Sequence, residues 1–302
     1  MTRRLLLALL VLLLATPVVA GCGEREEPLG ELSQPYPVTV QGAGEQQTLL
    51  RKEPSRIVAL DAGPARILSS LGAGRRVVGT PAGTRVDGRA RPVVDTAGQV
   101  DVPAIVRLRP DLIVASPSVD PLDVSRAQRE SGAALYVQPD GSVDDLVQAT
   151  LDLGLLVGEP VRARRVANHM RQQVRASEKR VAGEPLASVF VDTGFFITIP
   201  ARSLFGDLIR RARGESIAGE VPGPEPFPVQ ELRRADPDVY MTTSESRVTL
   251  EDLRMDPRTK SLTAVKEGRV VQVPAELMRA PGPAVGRALA RVARALHPDA
   301  FR

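Results

Sequence analysis

The sequence has no tryptophan, three tyrosines, two histidines and one cysteine in 302 residues. Each shortage removes a class of function. Single-stranded nucleic acids are held by aromatic side chains interleaved with a clustered basic surface. Here the 36 Arg and 4 Lys are dispersed along the whole chain beside 36 acids, so no nucleic-acid partner is expected. His169 and His297 lie far apart in sequence, and both are expected at the surface. A directly bound zinc or manganese ion calls for clustered His and carboxylates, so no protein-held metal is expected. There is no Gly-x-Ser-x-Gly elbow, no His-Glu-x-x-His and no Gly-Lys-Ser/Thr phosphate loop, and two histidines do not readily supply a base beside a nucleophile. The chain is therefore not read as an enzyme.

What is present begins with an export signature. Arg3 and Arg4 precede an apolar run, Leu5 to Val19, broken only by Thr16 and Pro17. That run is shorter than the ~20 residues of a comfortable membrane span and reads as a secretory signal over residues 1–21. Val19-Ala20-Gly21-Cys22 is similar to the bacterial lipobox, which implies cleavage before Cys22 and a lipid on its thiol. The alternative is a plain signal peptide with an incidental Cys. A lone thiol is a liability in an exported protein, and lipidation accounts for it. Removing residues 1–21 takes away two Arg and no acid, so the net charge falls from +4 to +2. Residues 22–37, rich in Pro, Gly and polar side chains, read as a tether to an extracytoplasmic membrane surface.

The remainder, in a chain 43% hydrophobic and 25% charged, has the composition and length for two globular domains. Val38–Val40 and Thr48–Leu50 alternate as a small hairpin. Arg56–Leu60 reads as a strand and Pro64–Leu71 as a helix closed by Gly72. Helix Val102–Leu108, strand Leu112–Ala115, a helix near 121–131 and strand Ala134–Val137 follow. Alternating strands and helices predict parallel sheets covered by helices. Val143–Val157 reads as a helix, and Pro160–Ala182 as an uninterrupted one of about 35 Å. The latter is too long for a routine crossover and fits a rigid link between lobes; a two-stranded coiled coil is the alternative, but no sustained heptad supports it. The pattern then resumes with strand Ser188–Asp192, helix Ser203–Arg213, helix Val229–Ala235, strand Val239–Met241, strand Arg269–Val273 and helix Gly282–Leu296. The expectation is an α/β fold of two lobes, 38–158 and 184–302, joined by one helix over 159–183. "VPAIVRLRPDLIVAS" (102–116) and "VQELRRADPDVYMTTS" (229–244) are then corresponding helix–strand units of the two lobes.

Five stretches carry a family likeness: RIVALDAGPARILSSLGAGRRVVGT (56–80), VRLRPDLIVAS (106–116), LFGDLIRRARGES (204–216), LRRADPDVYMTTS (232–244) and DPRTKSLTAVKEGRVVQVPAELMRAPGP (256–283). In this order the chain resembles class III substrate-binding proteins of bacterial ABC importers, the helical-backbone receptors for cobalamin, ferric siderophores or haem. The resemblance implies a monomeric, lipid-anchored receptor with no cofactor of its own. Its ligand would be a metal chelate held between the lobes, and its partners an ABC permease and ATPase. Ligands of open α/β sheets bind outside the carboxyl ends of the strands, which selects Asp61, Thr80, Arg85 and Ser116 in the first lobe. In the second it selects Phe195, Phe196, Arg202, Arg247 and Arg279, and the resemblance adds Phe227, whose Pro-rich loop 223–228 points toward the cleft in the family pattern. Scarce aromatics weigh slightly against a flat macrocycle, and Arg slightly toward an anionic chelate. Importing members of that family present one docking Glu per lobe; the matching positions are Pro103 and Gln230, with Asp101 and Glu231 as neighbouring substitutes. A surface lipoprotein that binds a ligand or partner without import is the alternative.

Overall fold

The computed structural model describes residues 36–219, 226–279 and 282–302. The export signature, Cys22 and most of the tether therefore lie outside the described residues, as does part of the loop before Phe227. Residues 34–302 form one compact unit.

A short hairpin, β1 (Val38–Gln41) and β2 (Gln47–Leu50), stands apart as its own antiparallel pair. The first lobe is built on β3 (Ile57–Ala59), β4 (Val77–Pro81), β5 (Arg91–Val94), β6 (Leu112–Ala115) and β7 (Ala134–Val137). They form a parallel sheet in the order β5-β4-β3-β6-β7. Its helices are α1 (Ala62–Ser70), α2 (Val102–Leu108), α3 (Pro121–Ser131) and α4 (Val143–Leu156). The linking helix is α5 (Pro160–Val181). The second lobe carries β8 (Ala187–Asp192), α6 (Leu204–Arg211), β9 (Gly214–Ser216), α7 (Val229–Ala235) and β10 (Val239–Thr243). It continues with α8 (Leu250–Met255), α9 (Thr263–Lys266), β11 (Val270–Val273), α10 (Ala275–Arg279) and α11 (Val285–Leu296). Its parallel sheet runs β11-β10-β8-β9.

Both sheets are buried on both faces, as parallel sheets require. In β3 and β6, Ile57, Ala59, Leu112 and Val114 face one cluster while Val58, Ile113 and Ala115 face another. β8 and β10 split likewise: Val189, Val191, Val239 and Met241 turn to the first cluster, Phe190 and Tyr240 to a third. The shared cluster runs from one lobe to the other through α5.

The sequence of α5 explains how. Ala163, Ala167, Met170, Val174, Ser177 and Val181 are buried at spacings of three and four, one stripe of a helix. The other faces carry Arg and Lys into solvent. Burial of Met170 and Val174 alone contributes roughly 1.5–3 kcal/mol each. α4 and α11 pack on this stripe at glycines. A Cβ on Gly154 of α4 would sit 2.1 Å from Cβ of Ala163, and one on Gly286 of α11 would sit 2.3 Å from Cβ of Gln173.

A polar knot holds the same junction. Asp207 of α6 accepts the backbone N–H of Val143, at the start of α4, at 2.9 Å. Arg211 reaches Asp207 at 2.8 Å, Glu178 of α5 at 2.7 Å and Asp144 of α4 at 2.6 Å. Burial raises the Asp207 pKa, but the bonds from Val143 and Arg211 outweigh it and hold the carboxyl below its usual range.

Several expectations are corrected. His297 is buried, with Nε2 3.0 Å from the Ala212 carbonyl and Nδ1 4.0 Å from Glu184; the end of α11 is covered rather than solvated. The first helix starts at Ala62, because Asp61 caps it. Residues Gly282–Ala284 form a 3-10 turn ahead of α11. His169, by contrast, is exposed as expected and pairs with Gln173 at 2.9 Å.

Candidate functional site

The strand orders fix where a ligand can enter. In the first sheet the chain steps from β3 to β4 on one side, then crosses from β5 to β6 on the other. The reversal therefore falls between β3 and β6, the position at which open α/β sheets leave a crevice. In the second sheet it falls between β8 and β10. The residues at those strand ends are Asp61 and Ser116, and Asp192 and Thr243.

Between the lobes lies a cleft of about 800 Å³. Its first-lobe wall includes Asp61, the 82–85 loop, Ser118 and Asp140; its second-lobe wall includes Arg202, Leu204 and Met278. Asp61 accepts from Ser116 Oγ at 2.6 Å and Ser118 Oγ at 2.9 Å, and caps α1 through the Gly63 N–H at 3.3 Å. Its carboxylate is thereby fixed at the cleft wall. Asp140, in the loop after β7, is the residue that sequence reasoning missed. Burial first, then the charges of Asp61 and Asp145, push its pKa up to about 6. The signal that would have found it is its position: it follows a strand's carboxyl end, as Asp61 does. Arg66 of α1 and Glu276 of α10 form an ion pair across the cleft, 3.7 Å apart.

The other sequence candidates are distributed as follows. Arg85 and Arg202 line the cleft and are exposed. Thr80 and Ser116 are buried, 3% exposed each, with Ser116 reaching the wall through Asp61. Asp192, at the end of β8, accepts the Gly194 and Phe196 N–H groups at 2.8 and 3.0 Å and the Tyr240 hydroxyl at 2.7 Å. These bonds bend the chain so that Phe195 and Phe196 take φ of 55° and 63°, a conformation that costs a bulky residue energy. Phe195 is 86% exposed, whereas Phe196 is buried beneath the Arg258 guanidinium, 4.6 Å from its ring centre. Phe227 packs on Phe190 with ring centres 5.3 Å apart, inside the lobe. Arg247 is exposed outside the cleft wall. Arg279 is the last residue of α10, and its side chain lies outside the description. Pro103 and Gln230 are the second residues of α2 and α7, both exposed. Beside them, Asp101 accepts the Ala104 N–H at 2.8 Å as the cap of α2, and Glu231 is exposed in the first turn of α7. Among the described residues, no group of three or more His, Cys, Asp or Glu is placed to hold a metal ion. No described helix is long and apolar enough to cross a membrane.

Comparison with known proteins agrees with this fold. The profile of the family described as periplasmic binding protein matches residues 57–277. The ABC transporter substrate-binding lipoprotein YvrC of Bacillus subtilis (strain 168) is 22% identical, over 96% of this chain and 96% of that protein. A cobalamin-binding protein of Halobacterium salinarum is 28% identical, over 87% of this chain and 74% of its own. Among solved structures, the periplasmic haem-binding protein RhuT of Roseiflexus sp. RS-1 superposes with a TM-score of 0.71 at 20% identity, covering 82% of this chain and 99% of that one.

Proposed function

The chain belongs to the periplasmic binding protein family, and on that premise we propose an extracytoplasmic receptor that captures a metal chelate and delivers it to an ABC importer. The chelate is a corrinoid, a ferric siderophore or haem, arriving with its metal already enclosed. The receptor works by binding and release, without catalysis. It is a monomer tethered through a lipid on Cys22, with a signal over 1–21, lobes over 38–158 and 184–302, and the link over 159–183. The observation that carries the reading is the cleft of about 800 Å³ walled by loops from both lobes, with the first sheet's topological switch at Asp61. Asp61, Asp140, Arg85 and Arg202 make the polar contacts, fixing orientation by a few well-placed groups as small-molecule sites do. Phe195 is the exposed aromatic available at the second lobe's edge.

Calorimetric titration of residues 23–302 with cobalamin, haem and a ferric siderophore panel tests this. Micromolar binding of one class and not the others identifies the cargo; no binding by any of them sinks the reading. A second reading, a surface receptor with no import role, is favoured by one observation: both docking positions lack an acid, and the nearby Asp101 is engaged as a helix cap. Charge reversal at Asp101 and Glu231 together separates the two. If those acids orient docking, D101K/E231K abolishes uptake while leaving ligand binding intact; unaffected uptake removes them as the docking pair.

A further inference from the structure

Beside the main cleft lies a second cavity of about 400 Å³, lined by Arg66, Glu276, Leu277, Ala284, Arg287 and Arg291. It shares Arg66 and Glu276 with the cleft, so this ion pair stands between the two spaces. Its charge is unbalanced: three guanidinium groups face one carboxylate. Some other Arg residues of the described structure are met by acids. Arg211 has Asp207, Glu178 and Asp144, and Arg258 has Asp256. Arg287 and Arg291, both exposed on α11, have no ion pair or side-chain hydrogen bond among the described residues. They are four residues apart on one helix, where like charges repel one another. That arrangement, in a concavity that also receives Arg66, is unfavourable until an anion occupies it.

We propose that this cavity is an anion site for a phosphate-type group, held by the forked donors of Arg287 and Arg291 with Arg66 as the third cation. Guanidinium groups suit such a group because they offer paired N–H donors and stay charged at every physiological pH. Glu276, 3.7 Å from Arg66, is the internal competitor, because its carboxylate repels an entering anion. Occupancy of the cavity is thus linked to the charge presented to the main cleft, because Arg66 and Glu276 line both. The site is independent of the identity of the chelate. The phosphate group can be free in solution or belong to a lipid headgroup.

The test uses the full chain in a non-ionic detergent at constant ionic strength. Inorganic phosphate and short-chain phosphatidylglycerol are titrated separately, with short-chain phosphatidylcholine as the zwitterionic control, and thermal midpoints give the apparent Kd. Saturable stabilisation by phosphate assigns a free anion, and stabilisation by phosphatidylglycerol alone assigns a headgroup. In either case R287Q/R291Q raises the apparent Kd at least tenfold, and E276Q lowers it severalfold by removing the repulsion of the carboxylate. R126Q/R129Q, an exposed pair on α3, leaves it unchanged. The proposal is overturned if neither probe stabilises the protein, or if R287Q/R291Q binds as well as the parent. Both arginines are exposed, and an unchanged circular dichroism spectrum excludes misfolding as the cause of a loss.

Discussion

The two lobes are alike at the amino ends of their sheet strands and unlike at the carboxyl ends. In the first, Asp111 of the Pro-Asp pair accepts the Ser55 N–H and hydroxyl, each at 2.8 Å, and the Arg56 N–H at 2.9 Å. In the second, Asp238 accepts the Ser188 N–H and hydroxyl, each at 2.7 Å. Each Asp ties the start of one strand to the start of its neighbour. The preceding helix closes both times on a left-handed residue, Arg109 at φ 47° and Asp236 at φ 40°. At the cleft ends the likeness stops. Asp61 is half-buried and held by two Ser hydroxyls at the wall, whereas Asp192 is 2% exposed and occupied by Tyr240 and two backbone N–H groups. The repeat therefore builds two frames of one kind, and only the first leaves its terminal carboxylate facing the space between them.

The largest break in that comparison is expected at Asp192. D192A orphans the buried Tyr240 hydroxyl and two buried N–H groups and costs about 3 kcal/mol in chemical denaturation, from the usual penalty for unpaired buried groups. D61A is expected to cost only about 1 kcal/mol, because buried Ser116 keeps the hydroxyl of exposed Ser118 as a partner at 2.6 Å, and to weaken chelate binding at least tenfold. Equal stability losses would erase the distinction. Next is the junction: D207N keeps an oxygen for the Val143 N–H but removes the charge that pairs with Arg211 and sets an NH2 donor against Arg210, and costs about 2 kcal/mol at pH 7. The folded pKa of Asp207 is depressed. Its contribution is therefore complete above the unfolded value of about 4 and fades as pH falls below it. The difference between parent and D207N shrinks in acid, which urea titrations at several pH values will show. D111A and D238A are expected to lose about 1.5 kcal/mol each; a difference above about 1 kcal/mol would mean that the frames are not equivalent.

The smallest effect is at Asp140. Its folded pKa of about 6 lies above the unfolded value of about 4. The folded state thus holds the extra proton in that window, and stability falls as pH rises through it. D140N is expected to stabilise by about 1 kcal/mol above pH 6, a value reduced for partial solvent access, and by nothing below pH 4. Thermal midpoints at pH 4 and pH 7 check it.

Periodicity made much of the frame legible. The spans Pro121–Ser131, Ala134–Val137 and Val229–Ala235 stand where the apolar spacing and flanking Pro or Gly put them. β5 escaped because Pro92 breaks the strand pattern, and Pro is tolerated there only because β5 is an edge. β9 is three residues around Glu215 and has no periodicity to read. At the site, the rule that ligands meet the carboxyl ends of strands leads to Asp61 and Arg85 at the cleft. The same rule does not distinguish Phe195, turned outward, from Phe196 and Phe227, packed within the lobe. That difference depends on how the bonds to Asp192 bend the chain, a tertiary effect with no local signature. The burial of His297 is likewise set by Ala212 and Glu184, residues distant in sequence.

The shared core along α5 has a bearing on how the molecule comes apart. One continuous apolar cluster takes side chains from both sheets and from α4, α5 and α11. Loss of either lobe would strip the apolar stripe of α5 and expose the core of the other. Melting should therefore be a single event, with calorimetric and van't Hoff enthalpies equal, although the architecture has two lobes. In this chain the unit of recognition is a pair and the unit of unfolding is one.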